Sequence, residues 1–181
     1  HGTIVTPVST GQVVELVARM EGSNVIYTPV GSIYVARAMR SLLEKGEKIV
    51  FGGEGNGGLI FPNHQFCRDG GMTAAIMVAI LKETNTTLSD NLALLPLRHV
   101  IKDKISTTIG MKILEKLKEE YSQATIDLTY GLKIFRGNSW GLVRASGTEP
   151  IIRIIIDADT GANGAELYQE LRSHVMRVGE H

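Results

Sequence analysis

Apolar residues run along this chain in two alternating rhythms. Ile4-Val5-Thr6-Pro7, Val25-Ile26-Tyr27-Thr28 and Ile49-Val50-Phe51-Gly52 are short, nearly continuous apolar runs, and each predicts a strand. Between them the spacing changes to three and four residues. Val13, Val14, Leu16, Val17 and Met20 share one face of a predicted helix, for which Ser9, Thr10 and Gly11 are N-cap candidates. Ile33, Val35, Ala36, Met39, Leu42 and Leu43 mark the inward face of a second helix. Strands apolar throughout, alternating with helices, favour a mainly parallel sheet over an antiparallel sandwich. Met72 to Lys82 is strongly apolar and predicts a buried helix, and Leu88-Ser89-Asp90-Asn91 opens a short one that Pro96 ends.

Beyond Leu95-Pro96-Leu97-Arg98 the grammar changes. His99 to Ile105 alternates as an edge strand does, and Ile113, Leu114 and Leu117 face inward from a helix over Ile109 to Tyr121. Strand candidates then cluster at Ile126-Asp127-Leu128, Leu132 to Phe135, Trp140 to Arg144 and Ile151 to Ile156, before a last helix over Ala165 to Val178. Clustered strands flanked by two helices predict a small α+β domain. The expected fold class is therefore α/β: a three-layer α/β domain over residues 1–97, followed by a small α+β domain over 98–181.

Composition narrows the function. The 181 residues carry 19 basic and 19 acidic side chains, so no surplus of positive charge exists to hold a polyanion, and no nucleic-acid partner is expected. A single cysteine, Cys67, excludes a disulfide framework or a cysteine-rich zinc module. No apolar stretch reaches the roughly 18 residues of a membrane span, and the first residues lack a signal-peptide pattern. The expectation is a cytoplasmic protein with no membrane partner.

Two loops carry candidate chemistry. Gly52-Gly53-Glu54-Gly55-Asn56-Gly57-Gly58 follows a predicted parallel strand, where ligands of open α/β sheets bind. Glu54 and Asn56 are two residues apart, which in an extended loop aims both to one side. A carboxylate beside an amide suits adjacent sugar hydroxyls. A flexible turn facing water is the competing reading. Nucleotide binding is disfavoured: the run does not open onto a helix as the dinucleotide fingerprint does, and no Walker sequence occurs.

The second loop is Arg144-Ala145-Ser146-Gly147-Thr148-Glu149-Pro150, between two predicted strands. Arg144 offers a fork of donors matched to phosphate, Ser146 and Thr148 add hydroxyls, and Gly147 frees the backbone to form an anion nest. An ordinary hairpin with an exposed arginine is the alternative. His64 and Cys67 make a poor nucleophile pair, while Asp69 is placed to cap the following helix, with Arg68 either pairing locally or facing a cleft. No catalytic residue and no metal-ligand cluster is assigned in this chain.

The two loops in this order resemble the α-D-phosphohexomutase family of phosphomannomutases, phosphoglucomutases and phosphoglucosamine mutases. Val5-Thr6-Pro7-Val8-Ser9, Thr28-Pro29-Val30-Gly31-Ser32, Arg68-Asp69-Gly70 and Trp140-Gly141-Leu142-Val143 extend the likeness over essentially the whole chain. The resemblance implies a four-domain enzyme with a central cleft, of which this chain is the third and fourth domains. It implies that Glu54, Gly55 and Asn56, with Ser32, contact the sugar, Asn56 standing where many relatives have serine. It assigns the substrate phosphate to Arg144, Ser146, Gly147 and Thr148.

In such an enzyme a phosphoserine passes its phosphoryl group to a hexose 1-phosphate or 6-phosphate. The hexose 1,6-bisphosphate intermediate, which also serves as activator, reorients and returns the other phosphate to the serine. The serine loop and the magnesium loop belong to the first and second domains, and neither pattern occurs in these 181 residues. The expected partners are a phosphorylated hexose and the missing N-terminal domains, and the fragment alone is expected to be inactive. A stand-alone phosphosugar- or anion-binding protein without catalysis is the alternative.

Overall fold

Strand β1 (Thr3–Pro7), helix α1 (Val13–Met20), β2 (Asn24–Thr28), α2 (Ser32–Glu44) and β3 (Ile49–Gly53) form two successive strand-helix-strand crossovers. This computed structural model describes residues 1–179 and divides the chain into two units, one ending at Pro96 and one beginning at Leu97. In the first unit β1 is central, paired in parallel with β2 on one side and β3 on the other. A short β4 (Leu59–Ile60) runs antiparallel to β3 at the edge. The mainly parallel sheet agrees with the α/β expectation.

Alternation along β1 turns Ile4 and Val5 to opposite faces. Val5 packs with Val35, Ala36 and Met39 of α2, whereas Ile4 lines a groove with Val13, Val14 and Val17 of α1. Helices therefore cover both faces of the sheet. At Gly52 a Cβ would run into the Met39 sulfur and come within 2.8 Å of Val35, so glycine here lets α2 lie close against β3.

Several local expectations are corrected. The residue capping α1 is Gln12, with no side-chain bond, instead of Ser9, Thr10 or Gly11. Thr10 is buried and its hydroxyl bonds that of Thr6 at 2.6 Å; Thr6 in turn donates to the Gly53 carbonyl at 2.9 Å. The hydroxyls thus brace the end of β3. Ile33 and Leu43 of α2 are exposed, because they lie in its terminal turns, away from the residues that meet Val5.

Helix α3 (Gly70–Thr84) is the larger surprise. Its apolar composition predicts burial, yet none of its residues is buried and Val78 is 65% exposed. The helix is held through its first turn, where Thr73 accepts a hydrogen bond from the Leu59 backbone at 2.9 Å. Apolar composition shows what a helix can bury, and among the described residues no surface is packed closely enough against it to bury any of its side chains. Helix α4 (Leu88–Ala93) starts with a capping box between Thr87 and Asp90.

The second unit is a five-stranded antiparallel sheet in the order β5-β9-β8-β7-β6. Its strands are β5 (His99–Ser106), β6 (Ile126–Asp127), β7 (Leu132–Arg136), β8 (Ser139–Ala145) and β9 (Ile151–Ala158). The edge position expected for His99 to Ile105 is observed. Helices α5 (Gly110–Glu120) and α6 (Gly161–Gly179) cover one face, with Ile113, Leu114 and Leu117 meeting Leu167, Leu171 and Val175 over Ile152, Ile154 and Ile156. Arg98 ties the start of the unit down, donating to Asp157 at 2.6 Å and to the Asn138 carbonyl at 2.7 Å.

Candidate functional site

The three parallel strands β2, β1 and β3 end on the same edge of the first sheet, as their shared direction requires. The Gly31–Ser32 turn follows β2 there, and Ser32 is the first residue of α2 behind a Gly31 cap at φ 137°. The Glu54 loop follows β3 on that same edge. It is a hairpin rather than an extended loop: Gly53 opposes Leu59, so residues 54–58 turn the chain back. Gly57 and Gly58 take positive φ of 87° and 71°, which makes the reversal feasible.

The extended-loop geometry is thereby corrected, but the two side chains still converge, and Arg68 is the reason. Its Nη1 donates to Asn56 Oδ1 at 3.0 Å and lies 3.5 Å from Glu54 Oε2. The Glu54 side chain is only 13% exposed, so its carboxylate is held in place and largely shielded. The backbone beside Arg68 is anchored in turn. Asp69 N–H donates to the Leu59 carbonyl at 3.0 Å, forming a bridge between the two residues. The Asp69 carboxylate caps α3 by accepting from Met72 N–H at 2.8 Å, as expected for that residue, and also takes Gln65 at 2.8 Å and His64 at 3.1 Å. The bond from Met72, with those from His64 and Gln65, holds its pKa below the usual carboxylate value.

In the second unit, residues 146–150 link β8 to β9. Ser146 is the hub of this loop. Its N–H donates to the Ile151 carbonyl at 3.0 Å, and its hydroxyl accepts from the N–H groups of Glu149 at 3.2 Å and Thr148 at 3.4 Å. The nest expected at Gly147 is modified accordingly. Gly147 is not at positive φ, and the next two N–H groups turn inward onto the serine hydroxyl. A serine at this position satisfies the turn locally, which glycine flexibility alone did not foretell.

Arg144 stands at the base of the loop with its Nε buried and unpartnered. Its guanidinium carbon sits 5.7 Å from the centre of the Tyr130 ring. Burial, and then the charge of Arg153 opposite it on β9, push its pKa below the ordinary arginine value. Arg144, Ser146 and Gly147 line a cavity of about 320 Å³ together with Lys118 and Tyr130. Gly131, at φ 103°, is the position that admits this arrangement: a Cβ there would lie 2.5 Å from the Val143 carbonyl and 2.9 Å from Arg144 Cβ.

The structure thus gathers Glu54 and Asn56 in one unit, and Arg144, Ser146 and Gly147 in the other; Thr148 is exposed on the same loop. Lys118, Tyr130 and Gly131 were not singled out from sequence, since single residues on a helix and a turn carry no motif. Arg68 was weighed between two roles, and the structure gives it a local pairing with both loop side chains. Among the described residues, no group of three or more His, Cys, Asp or Glu side chains is placed to hold a metal ion. The magnesium implied by the resemblance therefore has no fitting site among them. No helix among the described residues is long and apolar enough to cross a membrane.

Comparison with known proteins assigns this pair of units to one class. The family description "Phosphoglucomutase/phosphomannomutase, alpha/beta/alpha domain III" matches residues 1–98, and "Phosphoglucomutase/phosphomannomutase, C-terminal domain" matches residues 101–174. The chain belongs to the phosphoglucomutase/phosphomannomutase family. It is 35% identical to a probable phosphoglucosamine mutase of Methanopyrus kandleri, over 99% of this chain and 39% of that protein. It is 40% identical to a phosphoglucomutase/phosphomannomutase of Thermococcus kodakarensis, over 94% of this chain and 37% of that protein. The fold matches a family protein from Burkholderia thailandensis with a TM-score of 0.79 at 22% identity, covering 98% of this chain and 38% of that one. The chain thus spans under two-fifths of these relatives and covers only their C-terminal domains.

Proposed function

We propose that this chain is the substrate-recognising C-terminal part of a phosphohexomutase that interconverts hexose 1-phosphates and hexose 6-phosphates. In this reading the division of labour follows the two units. Residues 1–97 read the sugar, Glu54 accepting from one hydroxyl and Asn56 bonding another, with Gly55 and Ser32 on the same edge. Residues 98–181 bind the phosphate through Arg144, Ser146, Gly147 and Thr148. The single observation that carries the reading is Arg144: an arginine lining a cavity shared with a serine and a glycine. A guanidinium fork beside a serine hydroxyl suits the oxygens of a phosphate.

The chemistry of the complete protein is phosphoryl transfer, in which positioning and electrostatic stabilisation supply most of the rate. The residues described here bind and orient. The phosphoryl-carrying serine and the magnesium site belong, in this reading, to the preceding domains, and the cytoplasm is the expected compartment. The test is an assay of hexose 1-phosphate to 6-phosphate conversion, with magnesium and hexose 1,6-bisphosphate added. The expected result is no turnover by this chain alone, and turnover by the longer protein that contains it. Turnover by the isolated chain contradicts the division of labour. A longer protein that binds phosphosugars yet never converts them favours the non-catalytic binder.

A further inference from the structure

The geometry points to Arg68 as a positioning residue that sets which way the Asn56 amide faces, and so the donor-acceptor order the loop offers a sugar; this rests on the reading of Glu54 and Asn56 as hydroxyl-binding groups. An asparagine amide has a carbonyl at one end and an NH₂ at the other, and can present either to a ligand. Arginine has donors only. With Arg68 Nη1 at 3.0 Å, the amide is compelled to turn its oxygen to the guanidinium, which leaves the NH₂ as the group available to a ligand. Beside it, Glu54 presents a carboxylate that only accepts.

The loop therefore offers one acceptor and one donor side by side, in a fixed order. A sugar fits when one hydroxyl donates to Glu54 and its neighbour accepts from Asn56. Had the amide been free to rotate, the loop could have presented two acceptors, and both hydroxyls would then be required to donate.

Arg68 is built for this task by its surroundings. It is 42% exposed, so its role in holding the unit's core together is small, yet the residue after it is fixed by the Leu59–Asp69 bridge and the cap of α3. Gly58 leaves the path clear: a Cβ there would sit 3.3 Å from Arg68 Cβ. The helix cap, the bridge and the guanidinium thus connect the start of α3 to the tip of the loop.

A double-mutant cycle read by calorimetric titration of this chain with glucose 6-phosphate and with inorganic phosphate tests the inference. The expected result is that Asn56→Ala and Arg68→Ala each weaken glucose 6-phosphate by about five- to tenfold, the worth of one hydrogen bond. The double variant should be no weaker than Asn56→Ala by more than about twofold, because Arg68 acts chiefly through its 3.0 Å bond to Asn56, the 3.5 Å contact with Glu54 being the longer one. Inorganic phosphate, recognised in the other unit, should bind all three variants alike. Arg68→Lys, which keeps a donor, should recover most of the loss, and this separates positioning from simple damage to the fold. Fully additive losses overturn the inference, as does an Arg68→Ala loss shared equally by inorganic phosphate. If Asn56→Ala weakens glucose 6-phosphate and Arg68→Ala does not, the positioning role fails while the hydroxyl reading stands. If neither Glu54→Ala nor Asn56→Ala affects glucose 6-phosphate, the hydroxyl reading itself fails and the inference falls with it.

Discussion

Arg144 and Arg153 face each other directly across β8 and β9. Like charges opposite one another in a sheet repel; Arg153 Nη2 pairs with Glu149 at 2.6 Å, and the Nε of each arginine is buried without a hydrogen-bond partner. An anion placed at Arg144 offsets that repulsion. Inorganic phosphate should therefore raise the urea midpoint of the second unit. A tenfold excess over the dissociation constant corresponds to about 1.4 kcal/mol. Arg144→Ala should remove that gain, and an equal gain in the variant would show that phosphate acts elsewhere.

Gly131 should be nearly irreplaceable. At φ 103°, with the Val143 carbonyl 2.5 Å from where a Cβ would stand, Gly131→Ala strains the backbone and pushes on Arg144. The expected cost is about 1–3 kcal/mol in urea unfolding, together with weaker phosphate binding. A variant that unfolds normally and binds phosphate normally would remove Gly131 from the account.

Asp69 links stability to acid. Its carboxyl pKa lies below the ordinary 3.8, chiefly through the bond from Met72 N–H. A lowered folded pKa contributes stability that is fully present above the unfolded value and is lost as pH falls through the folded one. Asp69→Ala should thus be less stable than the parent chain near neutrality, and the gap should close below 3.8. Urea midpoints compared along an acid series check this; a gap that persists undiminished in strong acid contradicts it.

Tyr121 is predicted to titrate late. Burial, then its hydrogen bond to Glu170 at 2.8 Å and that carboxylate's charge, raise the phenol well above its ordinary 10.0. For a group with a raised folded pKa, stability is present below the unfolded value and is lost as pH rises through the folded one. In ultraviolet titration of the folded chain, the transition near 10.0 should have the same amplitude in Tyr121→Phe as in the parent. A smaller amplitude in the variant would mean that Tyr121 ionises normally.

Much of this architecture was legible because periodicity reports directly on burial. The runs at Ile4, Val25 and Ile49 are strands, and Ile113, Leu114 and Leu117 are buried as their spacing required. Where the reading failed, a local rule had a competitor it could not see. Met72 to Lys82 is as apolar as a core helix, but burial needs a facing surface, and sequence does not show whether one is present. Thr10 had the chemistry of a cap and was claimed instead by Thr6 across a buried hydrogen bond. The loops were legible as clusters of donors and acceptors. Their supports were not, since Arg68 lies twelve residues beyond Asn56 and reaches it only because β3 and β4 fold back. Tyr130 and Gly131 are likewise brought to Arg144 by strand pairing.

The most direct test of the central claim is a nuclear magnetic resonance titration of the isotope-labelled chain with glucose 6-phosphate. The roles proposed for the two loops, each taken by itself, predict saturable shifts of the amides of residues 54–58 and of residues 144–148, with inorganic phosphate moving only the second set. The absence of shifts from both loops, or a glucose 6-phosphate response identical to that of inorganic phosphate, would contradict the account.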